Sequence, residues 1–257
     1  MTELVALITG GAQGLGAAAA LGLARRGCVV AVVDRNGAGA EKIAAACRET
    51  SPGSFALQVD LIHKDAAHSM VEQTVKRTGR LDILFNCAAA APAEGFLDMT
   101  AEAWDAALTV NVRSVALAMA AAGREMGQRK SGRIINVTSA AARMSPPNYV
   151  AYAATKAAVD ALTRTGAVAL APLGVRVNSL SPGMMDTQLQ MDTEAIFCAL
   201  DGRSDLEAFK RERTARIPLK RRSTPEEMAE AFVWLALDAP DYMTAARLNV
   251  SGGLDKD

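Results

Sequence analysis

"LVALITGGAQGLGAAAALGLARRGCVVAVVD" spans residues 4–34. It opens on a short apolar run (4–9) that has the composition of a buried strand. Four glycines follow, Gly10, Gly11, Gly14 and Gly16, and then an Ala-rich stretch that predicts a helix over 15–26. A second apolar run, 28–34, ends on Asp34. Strand, glycine turn, helix, strand is the opening of a parallel βαβ unit. Glycines at such a junction allow a tight turn and let an anionic group reach the helix N-terminus, where free N–H groups and the helix dipole favour negative charge. The spacing is Gly-x-x-x-Gly-x-Gly rather than the commoner G-x-G-x-x-G. A turn chosen for packing alone is the bland alternative, and the position at the first strand–helix junction argues against it.

The same alternation continues outward. Strands are predicted at 54–60, 81–86, 132–139, 175–181 and 247–251, with helices at 38–50, 64–78, 101–126, 150–171 and 225–237. Most strands are apolar on both faces, as expected where helices cover both sides of a parallel sheet. The predicted fold is therefore α/β: one doubly wound domain over 1–257, a seven-stranded parallel sheet with helices on both faces. The stretch 184–224 has no clear assignment beyond a helical-looking "SDLEAFKRER" (204–213). A long insertion after a strand is often functional, so 184–215 is read as a lid over a substrate.

Composition narrows the function. The 257 residues carry 28 basic and 28 acidic side chains, which argues against a nucleic acid or an anionic membrane as the main partner. Cys28, Cys47, Cys87 and Cys198 are scattered without a CxxC pair, so neither a disulfide framework nor a metal site is expected, and a cytoplasmic location fits. The N-terminus shows no basic leader or cleavage site, and no apolar run approaches the ~18 residues of a membrane span.

Asp34 lies about 20 residues after the glycine loop, where a carboxylate can accept hydrogen bonds from an adenosine ribose and repel a 2′-phosphate. That favours NAD over NADP. The adjacent Arg35 pulls the other way, and a plain turn or capping role for Asp34 is the bland reading. Asp60, ending the third strand, could accept from an adenine amino group or simply shape a turn.

Ser139 ends the fifth strand, and Tyr152 and Lys156 follow on the next helix, four residues apart and so on one face. A phenol ordinarily titrates near pH ~10. A cation one turn away is expected to lower that value, so that Tyr152 can exchange a proton with an alcohol while Ser139 hydrogen-bonds the substrate oxygen. A Tyr-x-x-x-Lys pair alone fits an ordinary amphipathic helix; its company with Ser139 and the glycine loop does not.

Along nearly its whole length the chain resembles the classical short-chain dehydrogenase/reductase family. "TGGAQGLG" (9–16) is similar to that family's cofactor loop, "NCAA" (86–89) to its Asn-Asn-Ala-Gly element, Asn111 in "LTVNV" to its helix asparagine, "SPGMMDT" (181–187) to its Pro-Gly loop and "LNVSGG" (248–253) to its last strand. Cys87, Ala89 and Ser251 depart from the pattern. The resemblance implies a Rossmann-type domain and a Ser139–Tyr152–Lys156 oxidoreductase, with Asn111 holding a water in a proton relay. It implies cofactor contacts at Gly10, Gln13, Gly14, Leu15 and Gly16 and at Asp60 and Leu61, with Asn86 helping to fix the central strand and the cofactor. Pro182, Gly183 and Thr187 would meet the nicotinamide side, and Tyr152 and Lys156 the nicotinamide ribose. It also implies a homotetramer or homodimer paired through helices 101–126 and 150–171.

The remaining candidates read as bland. His63 and His68 are expected at the surface, and Arg143 as a surface residue with an anion contact in the substrate cleft as the alternative. "KRERTARIPLKRR" (210–222) reads as a solvated lid face, with a clamp for an anionic substrate as its alternative. Met184, Met185 and Met191 fit either an adaptable wall or core filling. Together these readings predict an NAD(H)-dependent enzyme that interconverts a secondary alcohol and a ketone, with a small-molecule substrate. The alternatives are an NADPH-dependent 3-oxoacyl-type ketoreductase and a catalytically silent nucleotide sensor.

Overall fold

The structure is a computed structural model that describes residues 3–144 and 146–256. In chain order it runs β1 (Val5–Thr9), α1 (Gly14–Arg25), β2 (Val29–Asp34), α2 (Gly37–Arg48), β3 (Phe55–Gln58), α3 (Ala66–Thr78) and β4 (Ile83–Asn86). Next come α4 (Ala101–Ala107), α5 (Ser114–Gln128), β5 (Gly132–Val137), α6 (Ala141–Met144), α7 (Val150–Leu170) and β6 (Val175–Pro182). The chain ends with α8 (Gln188–Leu200), α9 (Leu206–Ala215), α10 (Pro225–Val233) and β7 (Arg247–Val250). The seven strands form one sheet in the order β3-β2-β1-β4-β5-β6-β7, and every neighbouring pair is parallel. The doubly wound sheet expected from the sequence is therefore present.

Period-two alternation decides which helices cover which face. In β1, Val5 and Leu7 point to the layer of α3, α5 and α7, while Ala6 and Ile8 point to the layer of α1, α2 and α10. Fully burying one such Leu or Ile contributes about 1.5–3 kcal/mol. With few aromatic residues, small side chains bring the helices close. A Cβ on Gly22 of α1 would lie 3.0 Å from Val233 of α10, and Phe232 of α10 stacks on Phe85 of β4 at 3.7 Å.

Three details differ from expectation. Residues 101–126 are not one regular helix: a π-helical turn, Leu108–Arg113, separates α4 from α5. The continuous helical stretch Ala101–Gln128 is, contrary to the sequence reading, long and apolar enough to cross a membrane by length and composition, but it packs against α3 and α7 with half of its apolar window buried. The unassigned stretch after β6 holds two helices, α8 and α9.

β2 and β4 flank β1, and the crossovers leave it on opposite faces of the sheet. A crevice opens at that reversal, beyond the carboxyl ends of the strands. The glycine loop after β1 and the Cys87–Ala91 segment after β4 form its two lips.

Candidate active site

The glycine loop is built by close approach. Gly10 has φ +68°, and a Cβ there would lie 2.9 Å from the Ala88 Cα on the opposite lip. A Cβ on Gly16 would lie only 2.1 Å from the Gly10 carbonyl oxygen, so the first turn of α1 rests directly on the loop. Gln13 caps α1 in an extended conformation without a side-chain capping bond. The first N–H groups of α1 thus have no side-chain cap and aim toward the crevice with the positive end of the helix dipole. Gly16→Ala is expected to lower stability by about 1–3 kcal/mol and to weaken dinucleotide binding at least tenfold, because backbone must move to admit the methyl. Denaturant melts and calorimetry on the variant check both; unchanged binding would mean the loop is not the phosphate cradle.

Asp34 projects from the end of β2 into the same cleft, which has a volume of about 700 Å³. Its carboxylate accepts from the Ala12 N–H (3.1 Å) and the Asn36 N–H (2.9 Å), which fixes its orientation beside the loop. Arg35 also lines the cleft. Asp60 accepts from the Ile62 N–H at 3.1 Å, a turn-forming contact, and Asp60 and Leu61 both line the cleft. At the far end lie Pro182, Gly183 and Thr187. Gly183 passes so near the last strand's exit that a Cβ would sit 2.8 Å from the Ser251 Cα. Thr187 caps α8 by accepting from the Gln190 N–H and lies against Gly14 across the cleft.

Ser139, Tyr152 and Lys156 come together on the cleft floor. The Ser139 hydroxyl accepts from the Ala141 N–H (3.1 Å) and lies with the Tyr152 phenol on the same cleft floor. Lys156 is 2% exposed; its Nζ donates to the Val137 carbonyl at 2.8 Å and stands 5.5 Å from the centre of the Tyr152 ring. The depressed phenol pKa expected from the lysine does not appear. Burial pushes Tyr152 up to about 12, opposed by the Ser139 side chain, and burial pushes Lys156 down to about 8. Taking water from both groups penalises phenolate and ammonium alike, and the ammonium is held by a carbonyl instead of by the phenol oxygen.

The Asn86 side chain is buried and donates to Asn136 Oδ1 (2.8 Å), tying β4 to β5, which is the strand-fixing part of its expected role; it does not line the cleft itself. Asn111 sits in the π turn: Oδ1 accepts from the Ala90 N–H, and Nδ2 donates to the Ala90 carbonyl and to Thr155 Oγ1. Both amide protons are used and Oδ1 keeps one lone pair, so the side chain ties the β4 lip to α7. Cys87 does line the cleft, and burial raises its thiol to about 12.

The basic stretch after α8 is ion-paired. Glu194 of α8 is fully buried, and its Oε1 accepts from Arg213 (3.0 Å) and Arg222 (3.0 Å), while Arg221 pairs with Glu227 and Lys210 with Glu207. Arg213 and Arg222 therefore lock the lid to itself, which leaves little room for the anion clamp considered from the sequence. Arg143 is half-exposed and lies 3.6 Å from Asp255, outside the cleft lining, and His63 and His68 are exposed. Met185 packs against the core, whereas Met191 is exposed. The outer face of α8 also exposes Leu189, Ile196 and Leu200. Amides of 188–215 are expected to exchange faster than those of the sheet, and to slow once cofactor and substrate are both bound. Equal protection of lid and sheet without ligands would make the segment a fixed wall.

Sequence reasoning missed Tyr149, although its spacing of three residues from Tyr152 puts the two on one helical side. Its ring stacks on Tyr152 at 4.2 Å and meets Phe197 of α8 edge-on at 5.1 Å.

Comparison with known proteins agrees with this geometry. The family described as enoyl-(acyl carrier protein) reductase matches residues 10–255. A cis-4-hydroxycyclohexanecarboxylate dehydrogenase of Sinomonas cyclohexanicum is 35% identical over 252 residues, 98% of this chain and 96% of the relative. A 3-oxoacyl-[acyl-carrier-protein] reductase of Synechocystis is 34% identical over 256 residues, 99% of this chain and 98% of the relative. The crystal structure of an NAD+-bound xylitol dehydrogenase superposes with a TM-score of 0.92 at 30% identity, covering 97% of this chain and 98% of that one. A levodione reductase structure gives 0.90 at 30% identity, covering 99% and 98%. By this near-complete match in sequence and fold, the chain belongs to the short-chain dehydrogenase/reductase family of oxidoreductases.

Proposed function

We propose that the protein is an NAD(H)-dependent oxidoreductase that interconverts a secondary alcohol and a ketone, with Tyr152 as general acid and base. The observation that carries this reading is the convergence of Ser139, Tyr152 and the buried Lys156 on the floor of the cleft that also holds the glycine loop and Asp34. The residues fit a dinucleotide. The α1 N-terminus has no side-chain cap, Gly10 and Gly16 leave no room for side chains in the loop, and a carboxylate ends β2. When bound, the nicotinamide accepts or supplies the hydride. Ser139, oriented by the Ala141 N–H, hydrogen-bonds the substrate oxygen. In reduction the Tyr152 O–H donates its proton to that oxygen; in oxidation the phenolate takes it back. Lys156, anchored on the Val137 carbonyl, places its charge beside the phenol ring and the ribose position. A panel of secondary alcohols and ketones, followed by NADH absorbance, tests the assignment. No turnover of any member would favour a nucleotide sensor.

Asp34 supports NAD over NADP, because its fixed carboxylate would repel a 2′-phosphate. NADH is expected to bind at least tenfold more tightly than NADPH, and Asp34→Ala to narrow or reverse that ratio, both read by calorimetry. Tighter NADPH binding by the unmodified protein would favour the second reading, an NADPH-dependent 3-oxoacyl-type ketoreductase. Arg35 in the cleft and the Synechocystis relative point that way. A homotetramer or homodimer through α5 and α7 fits the exposed Leu117 and Val168 on those helices, and light scattering measures it. Four unpaired cysteines fit a cytoplasmic setting.

A further inference from the structure

We infer that Tyr149 is a positioning residue that couples docking of the lid helix α8 to the orientation of the Tyr152 phenol. The inference rests on the proposed acid/base role of Tyr152. Tyr149 stands at the junction of three elements. Its ring lies nearly parallel to that of Tyr152, at 4.2 Å and 18°. Its edge contact with Phe197 at 5.1 Å reaches α8. Next to it, Asn148 donates to Asp201 at 2.9 Å, just past the end of α8. Residues 148–149 thus hold the C-terminal end of the lid helix from the start of α7.

The consequence for Tyr152 is geometric. One side of its ring is covered by Tyr149, and the Lys156 ammonium stands 5.5 Å from its centre. A Tyr side chain has only two torsions, and a flat neighbour on one face fixes the first of them. When α8 undocks, Tyr149 loses Phe197 and no longer has a fixed face to offer. The phenol then swings within a cleft whose other polar neighbours are Ser139 and Cys87, and water reaches it. An acid/base group that is aligned only while the lid is down would couple proton transfer to exclusion of water.

Three variants test this with a secondary alcohol that the protein turns over, measuring kcat, KM, NADH affinity and the pH dependence of kcat. Tyr149→Leu, which removes the stack and the ring contact with Phe197, is expected to lower kcat about 10–100-fold. NADH affinity should stay within threefold, and the kinetic pKa should fall by at least half a pH unit as the phenol becomes hydrated. Tyr149→Phe, which keeps the stack, should recover at least tenfold of a hundredfold loss. Phe197→Leu, which removes the edge contact on α8, should lower kcat in the same direction as Tyr149→Leu but less. An increase in KM alone, with kcat and its pH profile unchanged in Tyr149→Leu, would make Tyr149 a substrate contact and overturn the coupling. So would a Phe variant no better than Leu. If Tyr152→Phe itself kept full activity, the acid/base assignment would fail instead, so the two failures are told apart.

Discussion

Tyr152→Phe is expected to lower turnover about 10²–10⁴-fold in both directions while NADH binding stays within about threefold. The change removes one oxygen from a ring that packs between Tyr149 and Lys156, so the cleft keeps its shape. What goes is the proton carrier next to Ser139. Because burial holds the phenol near 12, it is the neutral acid at physiological pH, ready to protonate a reduced carbonyl. In the oxidative direction the base form is scarce, and below that value its fraction rises tenfold per pH unit. Alcohol oxidation should therefore climb between pH 7 and 10 in the unmodified protein, and stopped-flow absorbance reads it. A phenylalanine variant with near-normal turnover would sink the acid/base assignment.

Lys156→Met should be inactive yet no less stable at neutral pH, an unusual pair of outcomes. Burial takes the lysine from its usual 10.5 to about 8, so holding it charged costs the folded state about 3 kcal/mol at pH 7. Removing it relieves that cost and leaves the Val137 carbonyl without its donor, a loss of about 1–3 kcal/mol. The sign follows from proton uptake: between pH 8 and 10.5 the unfolded chain holds the proton and the folded chain does not, so the unmodified protein gains stability as pH rises through that window. The melting-temperature difference between variant and parent should thus shift in the parent's favour over that range. Tyr152 titrates in both proteins and cancels. A difference independent of pH would mean that Lys156 does not change charge there. Turnover and cofactor affinity should both fall, because the proposal gives this residue both the phenol and the ribose.

The legible parts of this fold are those with local causes. β1, β2 and β4 are continuous apolar runs, and Gly10, Gly14 and Gly16 mark a turn that no other residue type fits so tightly. The same holds for Ser139, Tyr152 and Lys156, whose chemistry follows from one strand end and one helical turn. The lid was not legible because its pattern is blurred. In α8 the buried Phe197 and Cys198 alternate with the exposed Met191, Ile196 and Leu200. Its buried charge, Glu194, finds its partners 19 and 28 residues away. The π turn around Asn111 was hidden for a similar reason: its side-chain partners lie on the β4 lip and on α7, not within its own helix. The pKa direction at Tyr152 was misread because residue spacing reports the charge nearby but not the water removed.

The packing of α10 on α1 matters while the protein is still being made. The layer containing α1 is closed by Met228, Phe232 and Leu235, more than 200 residues after Leu23 and Ala24 that they cover. A ribosome synthesises the N-terminus first, at about 5–20 residues per second, and domains fold as their residues emerge. β1, α1 and β2 are therefore available early, but Phe85 waits for Phe232, and Arg26 for Asp238. Through most of synthesis the nascent chain holds an uncovered apolar face and a parallel sheet with unpaired edges, the situation in which chains aggregate or engage chaperones. A chain truncated before residue 225 would keep every residue of the Ser139–Tyr152–Lys156 cluster and still lack the helix that closes its core.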